Sequence, residues 1–220
     1  MTVLAARVAY PLWAGTYDTE TALSALDELA VAALSPPRFT RLLDAACGTG
    51  RRMPREGFAA GIDLVPEMLA LARRRAAGRL AAADLAALPF HDRAFDLVWC
   101  RLAVGHLRRL DEGYREMVRV LAPGGTLVIS DLHPEAARRG AKRTFRDAGG
   151  VKREVEHHLH EDAAHLAAAR NAGLLESGRD ERGVGPDVES FFRQAGALDA
   201  YQTQRGLPML LALRFTRTGS

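Results

Sequence analysis

Leu42-Leu43-Asp44-Ala45-Ala46-Cys47-Gly48-Thr49-Gly50 decides how this chain is read. An apolar stretch ends in a carboxylate, and small residues then alternate as Ala46-x-Gly48-x-Gly50. A strand that stops this way and turns directly into a helix leaves a gap where no side chain stands. A ligand can then touch backbone amides at a helix N-terminus. Nucleotide-type cofactors bind in such a crevice, outside the carboxyl end of a parallel strand. A second apolar run, Ala59-Ala60-Gly61-Ile62-Asp63-Leu64, also ends in an acid, 19 residues after Asp44. An acidic side chain at the tip of that strand can grip two ribose hydroxyls. A pyrophosphate-binding fold wants a third glycine three positions after the second. Met53 stands there, so a cofactor with a ribose but no pyrophosphate fits better.

Further motifs follow in order: Pro66-Glu67-Met68-Leu69 after Asp63, Asp84 with Leu88-Pro89-Phe90, Phe95-Asp96-Leu97-Val98, and Arg119-Val120-Leu121-Ala122-Pro123-Gly124-Gly125. Together with Asp44-x-Ala46-x-Gly48-x-Gly50, these resemble the class I S-adenosylmethionine-dependent methyltransferases, and most of all their small-molecule branch. The resemblance runs from about Tyr10 to the C-terminus. It implies a doubly wound, mostly parallel seven-stranded α/β sheet (a Rossmann-like methyltransferase fold) with an N-terminal helical lid and an insertion after strand five. The implied organisation is one methyltransferase domain over residues 1–220, with 1–37 as a cap and 134–160 as a lid for the methyl acceptor. The implied cofactor is S-adenosyl-L-methionine, leaving as S-adenosyl-L-homocysteine.

At 220 residues the chain suits one domain with a substantial core. No apolar run approaches the ~20 residues needed to cross a bilayer, and the start lacks a secretory cleavage pattern. Cys47 and Cys100 are the only cysteines, so a structural disulfide is not expected and a cytoplasmic location is. The isoelectric point is about 9.2, yet lysine occurs only at Lys142 and Lys152. The arginines are scattered among acids, as in Arg179-Asp180-Glu181-Arg182, and form no basic stripe with interleaved aromatics. A nucleic-acid or membrane partner is therefore not expected; the expected partner is a small-molecule acceptor, with the protein a monomer or homodimer.

Periodicity predicts an amphipathic helix over Asp18–Leu34, stopped by Pro36-Pro37, and a first strand over Leu42–Cys47. Pro54 and Gly57 leave room for only a one- or two-turn stub before the second strand. A helix is expected over Pro66–Ala77, with arginines in its last turn as the dipole prefers. Strands follow at Leu80–Asp84 and Phe95–Cys100, then a helix at Leu110–Leu121. Pro123-Gly124-Gly125 should be a sharp stop before strand five, Thr126–Asp131. The pattern loosens over 134–161, with a hairpin turn at Phe145–Val151. It resumes as a helix (Asp162–Ala172), a strand (Leu174–Arg179), a helix (Asp187–Ala195) and a last strand (Pro208–Thr216), which the resemblance implies is antiparallel.

The resemblance carries roles onto matching positions. Asp44, Ala46, Cys47, Gly48 and Gly50 would line the methionyl part of the cofactor. Arg51 or Arg52, with Arg51 favoured, would pair with its carboxylate. Asp63 would take the ribose hydroxyls, Leu64 and Met68 would pack on adenine, and Asp84 with Leu85 would meet the adenine amino group. Backbone around Cys100 and Arg101 would meet the methionyl ammonium. Ala46 stands where the family usually has its first glycine. Each acid also has a duller reading as a helix cap or turn residue. Tyr10, Trp13 and Tyr17 are either a hydrophobic staple onto the sheet or a lid with Tyr17 over the cofactor. If 151–159 is extended, Val151, Val155, His157 and Leu159 share one face. His157 and His133 are then the candidate bases or positioning groups. His106 also falls on the ligand side of the sheet, and nothing in the spacing of Asp131, His133 and His157 demands a metal. The resulting expectation is methyl transfer to an O, N or C atom of a small acceptor. The alternative is a cofactor-binding relative that transfers no methyl and serves as another catalyst or as a partner subunit.

Overall fold

The computed structural model describes residues 2–76 and 79–219. In chain order the elements are β1 (Val3–Leu4), α1 (Ala6–Trp13), α2 (Ala22–Leu34), β2 (Arg41–Ala45), β3 (Phe58–Asp63), α3 (Pro66–Ala72), β4 (Leu80–Ala82), β5 (Phe95–Arg101), α4 (Leu110–Val120) and β6 (Leu121–Leu132). Then come α5 (Pro134–Arg138), β7 (Thr144–Arg146), β8 (Lys152–Val155), α6 (Asp162–Asn171), β9 (Leu174–Gly183), α7 (Pro186–Gln194), α8 (Leu198–Gln204) and β10 (Pro208–Arg217). Seven strands form one sheet in the order β4-β3-β2-β5-β6-β10-β9. All neighbours are parallel except β10, which runs antiparallel to both β6 and β9. Strand order reverses between β2 and β5, so the crevice of this doubly wound α/β sheet opens at their carboxyl ends.

The central strands are apolar on both faces, and successive residues supply two separate cores. Leu43, Val98 and Ile129 pack under α4 and α6 with Tyr114, Met117 and Phe215. Leu42, Leu97 and Val128 pack against α2 and α7 with Leu26, Val31 and Val188. At ~1.5–3 kcal/mol for each fully buried aliphatic side chain, these two layers hold the strand tips in register.

Several boundaries differ from the sequence expectation. The helix expected from Asp18 begins at Ala22, because Thr21 and Ser24 form a capping box. Asp18 is thereby left in a turn, where it accepts from Thr49 Oγ1 at 2.5 Å. The first strand ends at Ala45. The stub after Gly50 is not helical; it is a turn, with Gly50 and Met53 donating to Cys47 O and Gly50 O. The glycine loop therefore opens onto no helix, and whatever amides it presents are those of a turn. The helix expected to reach Ala77 stops at Ala72, its arginines continuing in tighter turns; Ala77 itself lies outside the described residues. The third strand stops at Ala82, with Asp84 bridged to Ala87. Pro123-Gly124-Gly125 does not precede strand five but bulges from it: Leu121 pairs with Phe95, Thr126 with Leu97, and Gly124 takes φ +72°. α8 and β1 were not anticipated.

The hairpin at Phe145–Val151 is present, β7 pairing antiparallel with β8. β1 adds to it in parallel, making a second, three-stranded sheet. The shared face expected for 151–159 is only partly formed. Val155 and His157 turn inward, whereas Val151 and Leu159 are exposed.

Gly105 makes room for this arrangement, because a Cβ there would overlap the His157 ring at Nε2. Gly105→Ala should lower stability by about 1–3 kcal/mol through overpacking. Thermal unfolding should show the midpoint falling about 2–4 °C for each kcal/mol.

Candidate functional site

Two cavities meet at the strand tips, of ≈ 320 and ≈ 330 Å³. Each is of ligand-site size. Tyr17, Ala46, Arg101 and Leu102 border both and form the seam between them.

The first cavity is walled by Asp44, Cys47, Arg51 and Asp27 from the sheet and α2 side, and by Arg143 and Thr144 from the insertion. Asp44, next to last in β2, is almost fully buried, and its Oδ1 has no hydrogen-bond partner. Burial pushes its pKa up to about 7, with the neighbouring Arg101 pulling the other way. An orphaned carboxylate oxygen facing a cavity is a site for a cationic donor. Arg101 is held by Asp27, Nη2 donating to Oδ2 at 2.7 Å, while Asp27 Oδ1 accepts from Ser130 Oγ at 2.5 Å. Its guanidinium is thus tied down. Arg51 reaches the cavity wall but is engaged by the Asp18 carbonyl (2.6 Å) and Glu20 (2.9 Å).

The second cavity is walled by Gly48, Asp63, Leu64, Met68, Asp84 and Leu85, together with Tyr10 and His106. Asp63 Oδ2 accepts from the Gly48 amide (2.8 Å) and Oδ1 from the Val65 amide (2.9 Å). The Gly48 amide is therefore committed to Asp63 and not open to a ligand. Burial raises the Asp63 pKa while those backbone bonds pull it down. Asp84 accepts from the Ala86 amide at 3.0 Å and pairs with Arg7. Gly48 must be small: a Cβ would sit 3.3 Å from Tyr17 Cε1, at φ +55°.

Four expected site residues do not reach either wall. Gly50 faces α3, where a Cβ would stand 3.1 Å from Ala72 Cβ. Cys100 is wholly buried in the α4-side core, and burial raises its thiol pKa. His133 is the N-cap of α5, its Nδ1 accepting from the Glu135 amide at 3.1 Å. His157 lies beneath the wall with Nε2 2.8 Å from Asp131 Oδ1. Burial alone would raise the Asp131 pKa, but the His157 contact holds it below the usual carboxylate value. Neither histidine is placed to take a proton from a ligand in these cavities.

The histidine that does border a cavity is His106. Its Nδ1 lies 3.0 Å from the Glu156 carbonyl, which can only accept, so Nδ1 carries the proton. Nε2 then accepts from the Tyr10 hydroxyl at 2.8 Å. Burial, aided by Arg143, lowers its pKa to about 4, so the ring is neutral. Tyr10 and Trp13 stack in α1 at 5.6 Å, and Trp13 stacks on Phe145 of β7 at 4.9 Å. The aromatic trio therefore staples α1 to the hairpin, not to the sheet, while Tyr17 borders both cavities.

Sequence reasoning missed Asp27, Leu102 and Arg143. Asp27 carried a signal, an acid on the apolar stripe of α2 between Leu26 and Ala30. Leu102 takes φ +50°, a left-handed conformation costly for a branched side chain. No local pattern announces it.

A family profile described as a methyltransferase domain matches residues 43–129. A malonyl-[acyl-carrier protein] O-methyltransferase of Methylovorus sp. (strain MP688) is 30% identical over 217 residues, 88% of this chain and 72% of the relative. A demethylmenaquinone methyltransferase of Deinococcus radiodurans is 38% identical over 109 residues, 44% of this chain and 45% of the relative. The crystal structure of an S-adenosylmethionine-dependent methyltransferase from Mesorhizobium loti has a TM-score of 0.67 at 24% identity, over 89% of this chain and 100% of that one. That last likeness shows the fold. The chain belongs to the class I S-adenosylmethionine-dependent methyltransferases. It spans less than half the length of several relatives that it matches, 43–48%.

Ala46 keeps the turn at φ +149°, outside the region that side chains favour. Ala46→Gly should relieve that strain and raise stability by about 1 kcal/mol, net of glycine's entropy cost. A shift of the urea midpoint to higher concentration at unchanged slope is the expected reading.

Proposed function

We propose that this protein transfers a methyl group from S-adenosyl-L-methionine to an O, N or C atom of a small organic acceptor. The observation that carries this reading is the unpartnered Asp44 Oδ1 beside an Asp63 carboxylate held by two backbone amides. One acid can meet a cationic amino group and the other a pair of vicinal hydroxyls, in adjoining cavities that share Tyr17, Ala46, Arg101 and Leu102. The malonyl and demethylmenaquinone relatives support a small-molecule acceptor for this chain too.

When bound, the cofactor supplies an already activated sulfonium methyl. The chain's own part is then to bind, orient and exclude water. Asp44 accepts from the methionyl ammonium; Asp63 accepts from the ribose hydroxyls; Leu64, Met68 and Leu85 flank the adenine, with Asp84 at its amino edge. Tyr17 covers the seam, its hydroxyl kept protonated by burial. Leu102, Leu132 and Met209 give the acceptor side apolar walls. Positioning, not a histidine base, supplies the rate on this reading. No described helix is long and apolar enough to cross a membrane. We place the protein in the cytoplasm as a monomer or homodimer, without a nucleic-acid or membrane partner.

Calorimetry with S-adenosylhomocysteine should show binding to the wild type, weakened at least tenfold by Asp63→Ala, which removes a charge-assisted contact. No binding by the wild type would end the reading. Tight binding without homocysteine-product release, over a screen of phenols, amines and carboxylic acids, would favour a relative that transfers nothing.

The Asp44 pKa of about 7 sets a pH dependence. A cationic ligand favours the ionised carboxylate, so at low pH binding must first expel the proton. Affinity should rise roughly tenfold between pH 5.5 and 7. Asp44→Asn should flatten that profile.

A further inference from the structure

Arg143 is a buried permanent cation, 7% exposed, and so is the side chain of Arg101, which Asp27 and Glu28 neutralise. Arg143 stands just ahead of β7 in the wall of the Asp44-side cavity, with Leu102, Leu132 and Met209 in the same wall. Nη1 donates to the Leu102 carbonyl at 2.7 Å and Nη2 to the Tyr10 hydroxyl at 3.3 Å. These use two of the five donors of a guanidinium, and both acceptors are neutral.

The other cations of that wall are matched. Arg51 and Arg52 pair with Glu20, Arg101 with Asp27, and Lys142 with Glu154. Among the described residues no carboxylate lies within ion-pair distance of Arg143. The acids whose charge acts on it are spoken for, Asp131 by His157 and Asp27 by Arg101 and Ser130. Tyr10 and Tyr17 face it as neutral phenols, since burial raises both. Arginine cannot shed its proton to escape the cost of burial. A buried guanidinium with free donors at a cavity wall gains from an anion that completes it.

We propose that Arg143 is the receptor for a carboxylate on the methyl acceptor, whose apolar part lies against Leu102, Leu132 and Met209. One unmatched positive charge fits a monoanion, and the guanidinium fork suits the two oxygens of a carboxylate. The methionyl half of the cofactor shares this cavity; its carboxylate falls to Arg51 on the α2 side, and Arg143, on the insertion side and across the seam from Asp63, is left for the acceptor. This inference names the substrate class of the methyl-transfer reading and rests on that reading.

The test is calorimetry on protein saturated with S-adenosylhomocysteine, titrated with butyrate, benzoate and phenylacetate and with the corresponding uncharged amides. The wild type should bind at least one acid tenfold or more tighter than its amide. Arg143→Met should erase that preference while changing S-adenosylhomocysteine affinity less than threefold. Arg143→Lys, which keeps the charge but loses the fork, should retain part of it and decides the matter if the methionine variant does not fold. Acids that bind no tighter than amides in the wild type, including a panel in which nothing binds, overturn the proposal. So does an undiminished preference in Arg143→Met. Failure of the wild type to take up S-adenosylhomocysteine appears before any acid is added, and it overturns the methyl-transfer reading with this one.

Discussion

The carboxylate of Asp63 joins the tips of two strands. One oxygen takes the Gly48 amide from the loop after β2, the other the Val65 amide that leads into α3. A carboxylate between two amides is a strong, charge-assisted arrangement. Because of it, the loop stays open without a helix behind it. Tyr17 can lie over Gly48, where it borders both the Asp44-side and the Asp63-side hollows. The small residues around this acid follow from it: a side chain at Gly48 would meet Tyr17, and one at Gly61 would meet Cys47 and Met53.

A second constraint holds the other rim. Asp27 on α2 takes Arg101 at the end of β5 and Ser130 near the end of β6. One buried acid thus fixes two strand ends and a helix, and carries the chain into the left-handed turn at Leu102. The energetic logic is that of a buried pair: its net contribution to stability is small, but removal of one partner would strand the other.

Much of this was legible in the sequence because strand tips are local. Asp44, Gly48 and Asp63 sit within 19 residues and carry their own punctuation, and the alternation of apolar strands with helices gave the sheet. Boundaries were less legible where a cap or bulge intervened, as at Thr21 and at Pro123-Gly124-Gly125. The histidines were misplaced for a physical reason. His133 and His157 have the right chemistry for a base, but a cap and a buried carboxylate satisfy them first. Arg143 and Leu102 left no trace in periodicity. Their importance arises from a cavity wall assembled by segments about 40 residues apart.

The pairing of Val3 and Leu4 with Glu154 and Val155 has a practical side. The first residues of the chain form the outer thread of the small sheet that roofs the crevice. The last strand runs the other way: Leu210 lies beside Leu132 at the crevice end, and Thr216 beside Thr126 at the far end. A purification tag or fluorescent fusion appended after Arg217 therefore projects from the floor of the molecule. The same appendage placed ahead of Val3 would load the edge strand whose next residues, from Ala5, wall the Asp63-side cavity.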